Sequence, residues 1–203
     1  MELSEIKNMM QEEYSSYNWK NGNLHIIIRP SFIYMRDYNR EYFKLRIPKI
    51  SSGIYNKIMS LFHTVALFYN CECMARIYWH MQKREFVLRI PRQMVSVSSV
   101  SADEAEMDRD DELFELLPVL EIHSHGKVFN AFFSSTDDES ELHRYGLFGV
   151  VSFAKGRNIL IRLCLGGKQL KLSAEDIFDV PKVLELDSDF VKSVMSSGKI
   201  IKF

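Results

Sequence analysis

A change in hydrophobic period near residue 70 constrains the fold of this 203-residue chain more than any other feature. After Ser52, apolar residues recur every three or four positions, which predicts a helix with one face packed on a sheet. These positions are Ile54, Ile58, Leu61, Phe62, Val65, Ala66 and Phe68. From Cys71 the period falls to two, because Cys73, Ala75, Ile77 and Trp79 alternate with other residues. That alternation predicts a strand buried on one side.

Shorter strands and helices are predicted on both sides of this helix and strand. Upstream, β-rich runs separated by Pro, Asp and Asn predict an antiparallel meander over residues 24–29, 32–36 and 42–47. Downstream, the patterns predict strands over 85–90, 94–100, 118–124, 147–154, 158–165 and 169–172, a short helical turn near 173–178 and a closing helix over 188–195. The predicted fold class is α+β, a mixed β-sheet with one long packed helix and smaller helices.

The predicted domain organisation has two parts. Residues 1–50 form an N-terminal elaboration, with a polar helix across about the first sixteen residues followed by the meander. Residues 51–203 form the core that contains the long helix. We expect the two parts to make one compact unit, because a chain of this length has room for one well-cored domain.

Charge and composition limit the possible functions. The 26 Lys+Arg and 27 Asp+Glu residues nearly balance, so neither nucleic acid nor a membrane is a predicted partner. The sequence lacks a membrane-spanning run and a leader pattern, so we expect a cytoplasmic location.

Cys71, Cys73 and Cys164 are predicted free thiols. The acidic residues between 103 and 115 predict a solvated loop, with a surface for a basic partner as the alternative.

The segment LPVLEIHSHGKVFNAFFSSTDDESE, residues 117–141, contains a predicted metal site. His123 and His125 end an apolar strand, and side chains two residues apart on a strand project to the same side. Imidazole and carboxylate are ligands that suit Zn²⁺, and a hydrolytic site needs three protein ligands and one open position. Asp137 is the predicted third ligand, because Thr136-x-x-Glu139 resembles a capping box that would place Asp137 in the first turn of a helix.

These residues resemble the JAMM motif of the MPN-domain (JAB) zinc metallopeptidases, in which a distant Glu precedes H-[ST]-H and then S-x-x-D. The resemblance extends over roughly residues 50–180, is closest to the prokaryotic JAB subgroup, and implies an MPN/JAB-like fold related to the cytidine deaminase-like architecture. The loop between the second His and the Ser has one residue more than the usual seven, so the serine of the motif is either Ser134 or Ser135. Ser134 is preferred because it keeps the Ser-x-x-Asp spacing to Asp137.

The resemblance implies roles for the site residues. Glu72 is the expected general acid/base, and alternation with Cys73 turns its side chain away from the apolar core. Glu121, on the same side of its strand as His123, is the rival base. The family's serine, Ser134 in the preferred register, is expected to donate a hydrogen bond to the oxyanion.

The resemblance also implies an activity and a substrate class. One Zn²⁺ per chain is expected, with hydrolysis of a peptide or isopeptide bond. A ubiquitin-like protein or its conjugate, or a peptide tail, is the expected partner, and such a tail would add a strand to an exposed sheet edge beside the metal. The alternative is a non-catalytic MPN-type scaffold or interaction subunit.

Overall fold

The structure is a computed structural model that describes residues 15–18, 24–37, 40–103, 115–127 and 130–202. By its internal contacts the chain divides into two compact units, residues 1–49 and 50–203. The predicted N-terminal helix falls largely on residues 1–14, which lie outside the described residues. Residues 15–18, at the end of that prediction, form a strand instead.

The first unit contains an antiparallel meander, as the three β-rich runs predicted. Its strands lie in chain order in one sheet: β1 (Ser15–Asn18), β2 (Leu24–Ile28), β3 (Phe32–Asp37) and β4 (Arg40–Leu45). Ile26, Ile28 and Ile33 form a buried cluster, against which Met35 packs. The cluster follows from the period of two along β2 and β3, which sends alternate apolar side chains to one face.

The second unit is built on a six-stranded mixed sheet in the order β12-β11-β10-β9-β5-β6. These strands are β5 (Cys73–His80), β6 (Glu85–Arg89), β9 (Leu116–Ser124), β10 (Tyr145–Ser152), β11 (Asn158–Leu165) and β12 (Gln169–Leu172). A separate three-stranded sheet has the order β13-β7-β8, with β7 (Gln93–Val95), β8 (Val100–Ala102) and β13 (Ile200–Lys202). Only the β9–β10 pair of the larger sheet is parallel.

Four helices occur among the described residues of this unit: α1 (Ser52–Tyr69), α2 (Ser135–Glu141), α3 (Ala174–Ile177) and α4 (Ser188–Ser196). The α+β class is therefore confirmed. None of the helices in the described ranges is long and apolar enough to cross a membrane.

The long helix α1 begins and ends at polar caps. The Ser51 hydroxyl accepts a hydrogen bond from the N–H of Ile54 at the start. At the end Asn70 is left-handed, with φ 51° and ψ 40°, and its N–H donates to the carbonyl of Ala66. Glu72 follows only two residues later, so this turn sets where its side chain enters the fold.

Strand β9 is central to the sheet and has two different faces. It pairs antiparallel with β5 and parallel with β10. On one face, Ile122 and its register partner Ala75 are fully buried. Helix α1 contacts both strands, and the buried residues of the helix are mostly apolar. Glu121 and His123 lie on the other face. Burial of the apolar face fixes the strand register, so the polar residues must point the opposite way.

The structure corrects one sequence prediction for this unit and adds one strand that was not predicted. The strand predicted over residues 94–100 is two strands, β7 and β8, joined by a turn in which the Ser96 N–H donates to the carbonyl of Ser99. Serines are strong local hydrogen-bonding residues, and this pairing breaks the run. Strand β13 was not predicted, because three residues near the chain end give too short a pattern.

The left-handed turn at residue 70 generates a stability prediction. Asn70→Ala should lower the free energy of unfolding by about 1 kcal/mol, because alanine adopts the left-handed conformation less readily than asparagine does. Asn70→Gly is the matched variant and should stay within about 0.5 kcal/mol of wild type, since glycine adopts this conformation without strain. Urea unfolding of the full chain measures both. Equal stability of the two variants would show that the turn does not constrain the chain.

Candidate metal centre

The two histidines lie at the carboxyl end of β9. His123 is in register with Met74 on one side and with Val150 on the other. His125 follows the last residue of the strand, and its N–H donates to the carbonyl of Val151 at 2.8 Å. The ladder therefore continues one residue further and brings the second ring to the same side of the sheet. Both imidazoles are buried.

The third residue, Asp137, is held by the cap of helix α2. Ser134 is the N-cap, and its N–H and hydroxyl donate to Asp137 Oδ2 at 2.6 and 2.7 Å. The Asp137 N–H points back to the Ser134 hydroxyl at 3.2 Å. The predicted capping box at Thr136 and Glu139 is wrong by two residues, although Asp137 does lie in the first turn. Thr136-x-x-Glu139 and Ser134-x-x-Asp137 both resemble the sequence pattern of a capping box. In the structure, only Ser134 and Asp137 make the reciprocal hydrogen bonds.

The three side chains converge on one point. His123 Nε2 lies 3.2 Å from His125 Nε2 and 3.5 Å from Asp137 Oδ1. The three ligand atoms all lie within 4.8 Å of one another. Atoms that each lie about 2.0–2.1 Å from one tetrahedral Zn²⁺ are about 3.4 Å apart, so these spacings suit a single ion. The described residues thus contain a His/His/Asp group compatible with a metal site.

The electrostatics of the histidines favour metal binding. Burial lowers the pKa of His123 and of His125, and this effect outweighs the opposite influence of the Asp137 carboxylate. Neutral imidazoles have a free lone pair to offer a cation, whereas protonated ones do not. Both rings are therefore in the form that binds a metal at neutral pH.

Glu72 lies beside these residues, with its Oε1 4.0 Å from His125 Nε2. Burial, and then the nearby Asp137 carboxylate, raise its pKa to about 7. The Glu72 N–H donates to the carbonyl of Ser96, and the next N–H, that of Cys73, donates to the Ser124 hydroxyl at 3.1 Å. Ser124, fully buried between the two histidines, was not singled out in the sequence. It ties the start of β5 to the end of β9.

Glu121 is the other acid on the histidine face, and it is engaged elsewhere. Its Oε2 accepts from Arg76 Nε at 2.7 Å, and its Oε1 accepts from Arg144 at 3.3 Å. Arg144 also lies over the ring of Phe148, 4.8 Å from the centroid. Both oxygens of the Glu121 carboxylate are therefore paired with guanidinium groups.

Arg162 is a second residue of the region, after Ser124, that the sequence did not single out for a role. Its side chain, on β11, is only 2% exposed and contacts residues of helix α2. The signal in the sequence was an arginine inside the otherwise apolar run Ile159-Leu160-Ile161-Arg162-Leu163. A buried arginine requires acidic partners, which the period of the strand does not identify.

The strand edge beside the histidines is already occupied. The Met74 N–H donates to Gln93 Oε1 at 2.7 Å, and the Gln93 amide donates back to the Met74 carbonyl at 3.0 Å. The Gln93 side chain therefore takes the place of a neighbouring strand at the residue in register with His123. A peptide tail that adds a strand to this sheet would therefore have to bind at another edge.

No model of a known protein family matches this sequence. A search of curated proteins likewise finds no match of significance. The geometry places the five residues preferred for the site in one neighbourhood: Glu72, His123, His125, Ser134 and Asp137.

The cap of α2 generates a prediction that separates the two serine registers. Ser134→Ala should lower the free energy of unfolding by about 1 kcal/mol, because the helix loses its side-chain cap. It should also weaken metal binding, since Asp137 Oδ2 loses one of its two donors. Ser135→Ala, at the exposed neighbouring position, should change stability by less than about 0.5 kcal/mol. Thermal unfolding and Co²⁺ titration measure both effects, and a larger loss in Ser135→Ala would contradict this assignment.

Proposed function

We propose that this protein is a zinc-dependent amide hydrolase, a JAMM-type peptidase or isopeptidase that binds one Zn²⁺ per chain. The observation that carries the proposal is the convergence of His123, His125 and Asp137 with the Glu72 carboxylate alongside. Three protein ligands leave a fourth tetrahedral position open, which is the arrangement of hydrolytic rather than structural zinc sites. The MPN/JAB-like fold, related to the deaminase-like architecture, belongs to the same proposal and is supported by the mixed sheet with one long helix.

The chemistry divides between the ion and the chain. Bound Zn²⁺ supplies Lewis acidity, which polarises the scissile carbonyl and makes water acidic enough to ionise near neutral pH. Glu72 accepts the proton from the attacking water and delivers it to the nitrogen of the leaving amine. Ser134 donates a hydrogen bond to the oxyanion once its hydroxyl turns from Asp137 Oδ2, which retains the Ser134 N–H as a donor.

The proposed substrate is the amide bond of an extended peptide tail, such as that of a ubiquitin-like protein or its conjugate. Because Gln93 already binds the Met74 backbone, we infer that the tail is held by side chains around the metal rather than by strand addition at that edge. Phe132, whose ring meets His125 edge-on at a centroid distance of 4.7 Å, is one apolar side chain beside the histidine pair.

The metal ligands give the first test of this function. His125→Ala and Asp137→Ala should each reduce zinc from about one equivalent per chain to near zero after dialysis, because two ligands hold the ion too weakly. Elemental analysis of the purified full-length chains measures the metal content. His143→Ala is the matched control, a histidine outside the cluster, and should retain zinc. Zinc retained by both ligand variants would overturn the site, and a wild-type chain that binds no metal would favour the scaffold alternative.

The two glutamates give the second test. Glu72→Gln should keep zinc and lower kcat by roughly 10²–10⁴-fold, because the proton acceptor is lost while the ligands remain. Glu121→Gln should keep most of the activity, since that carboxylate is committed to Arg76 and Arg144. A ubiquitin-like protein with a fluorogenic amide at its carboxyl terminus is the substrate for both assays. A greater loss in Glu121→Gln would transfer the role of base to Glu121.

A further inference from the structure

Helix α2 carries a metal ligand although little in its sequence attaches it to the fold. Its seven residues, Ser135-Thr136-Asp137-Asp138-Glu139-Ser140-Glu141, are all polar. A helix of this length is unstable alone, and this one has no apolar stripe with which to pack. Its one buried residue is Glu141, an acid. Some polar contact must therefore hold the helix against the sheet.

The Arg162 guanidinium makes that contact. Nε and Nη2 both donate to Glu141 Oε2, at 3.2 and 2.8 Å, and Nη1 donates to Asp138 Oδ1. Nη1 also donates to Gln169 on the neighbouring strand β12 at 3.2 Å. The guanidinium carbon lies 3.9 Å from the centroid of the Phe133 ring, which precedes the cap of the helix. One planar group thus contacts the chain before the cap, the first turn and the last residue of α2.

These contacts lie on both sides of Asp137 along the chain, at Phe133 before it and at Asp138 and Glu141 after it. Asp138 and Glu141 are three residues apart and share a face of the helix. Asp137 immediately precedes Asp138, so fixing that face also fixes the direction in which the Asp137 carboxylate projects. The strand that carries Arg162 is next but one to the strand that carries the histidines. The same sheet therefore sets the positions of all three ligands.

We propose that Arg162 is a positioning residue for the metal centre, holding helix α2 against the sheet so that Asp137 Oδ1 meets the two imidazoles. The inference rests on the metal-binding part of the proposed function. Ser134 fixes the rotamer of the Asp137 side chain, and Arg162 fixes the helix on which that side chain stands. Lysine cannot replace the arginine, because an ammonium lacks the planar fork that binds two carboxylates and an amide at once.

Metal affinity of the full chain tests the proposal. Arg162→Lys should weaken Zn²⁺ binding, measured by competition with a chromophoric chelator, by about 10–100-fold, the usual effect of removing a group that orients a ligand. The Co²⁺-loaded variant should also show an altered visible spectrum, since the third ligand is displaced. Asp138→Ala is the second variant, because Asp138 is partly exposed and its loss leaves the buried Arg162–Glu141 pair intact. It should weaken binding to a smaller extent.

Arg76→Lys is the matched control, because Arg76 is an arginine of the same sheet that is ion-paired to Glu121 on β9. It should bind Zn²⁺ within about twofold of wild type, even where its thermal stability falls with that of Arg162→Lys. A merely structural role for Arg162 predicts lower stability in chelator with unchanged affinity and spectrum, and that result would overturn the inference alone. A wild-type chain that fails to bind Zn²⁺ would overturn the proposed function and the inference together.

Discussion

The carboxylate of Asp137 is the interaction on which the candidate site depends, because its two oxygens serve two different parts of the molecule. Oδ2 accepts from the backbone and hydroxyl of Ser134 and so closes the cap of α2. Oδ1 faces His123 across 3.5 Å. A single side chain thus joins a short polar helix to the end of a buried strand. Rotation of this carboxylate would lose the cap and the third ligand together.

Three glutamates near the candidate site lie in different surroundings. Glu72 is desolvated beside His125, and its pKa is raised to about 7. Glu121, two residues before His123, lies between two guanidinium groups. Glu141 is buried against Arg162. The surroundings of the three carboxylates therefore differ: one lies beside an imidazole, one between two guanidinium groups and one against a buried arginine.

Local patterns predicted most of the secondary structure of the second unit. The apolar stripe of α1 and the alternation in β5 are strong signals, because each extends over eight residues or more. The prediction over residues 94–100 failed where serine hydrogen bonds turned the chain, and the cap of α2 was placed at Thr136 instead of Ser134. Both errors have one cause. Ser, Thr, Asp and Glu compete for the same backbone donors, and a short window does not show which of them wins.

The sequence by itself determined that His123 and His125 share one side of a buried strand, because strand periodicity is a local property of the backbone. It also determined that an acid follows in the first turn of a polar helix. Only the tertiary structure decided that Glu72 lies 4.0 Å from His125 while Glu121 pairs with two arginines, and that Arg162 binds Asp138 and Glu141. Those contacts join residues 21 to 53 positions apart, and their distances depend on the order of the strands in the sheet. Strand order is set by the packing of the whole core, which no short pattern contains.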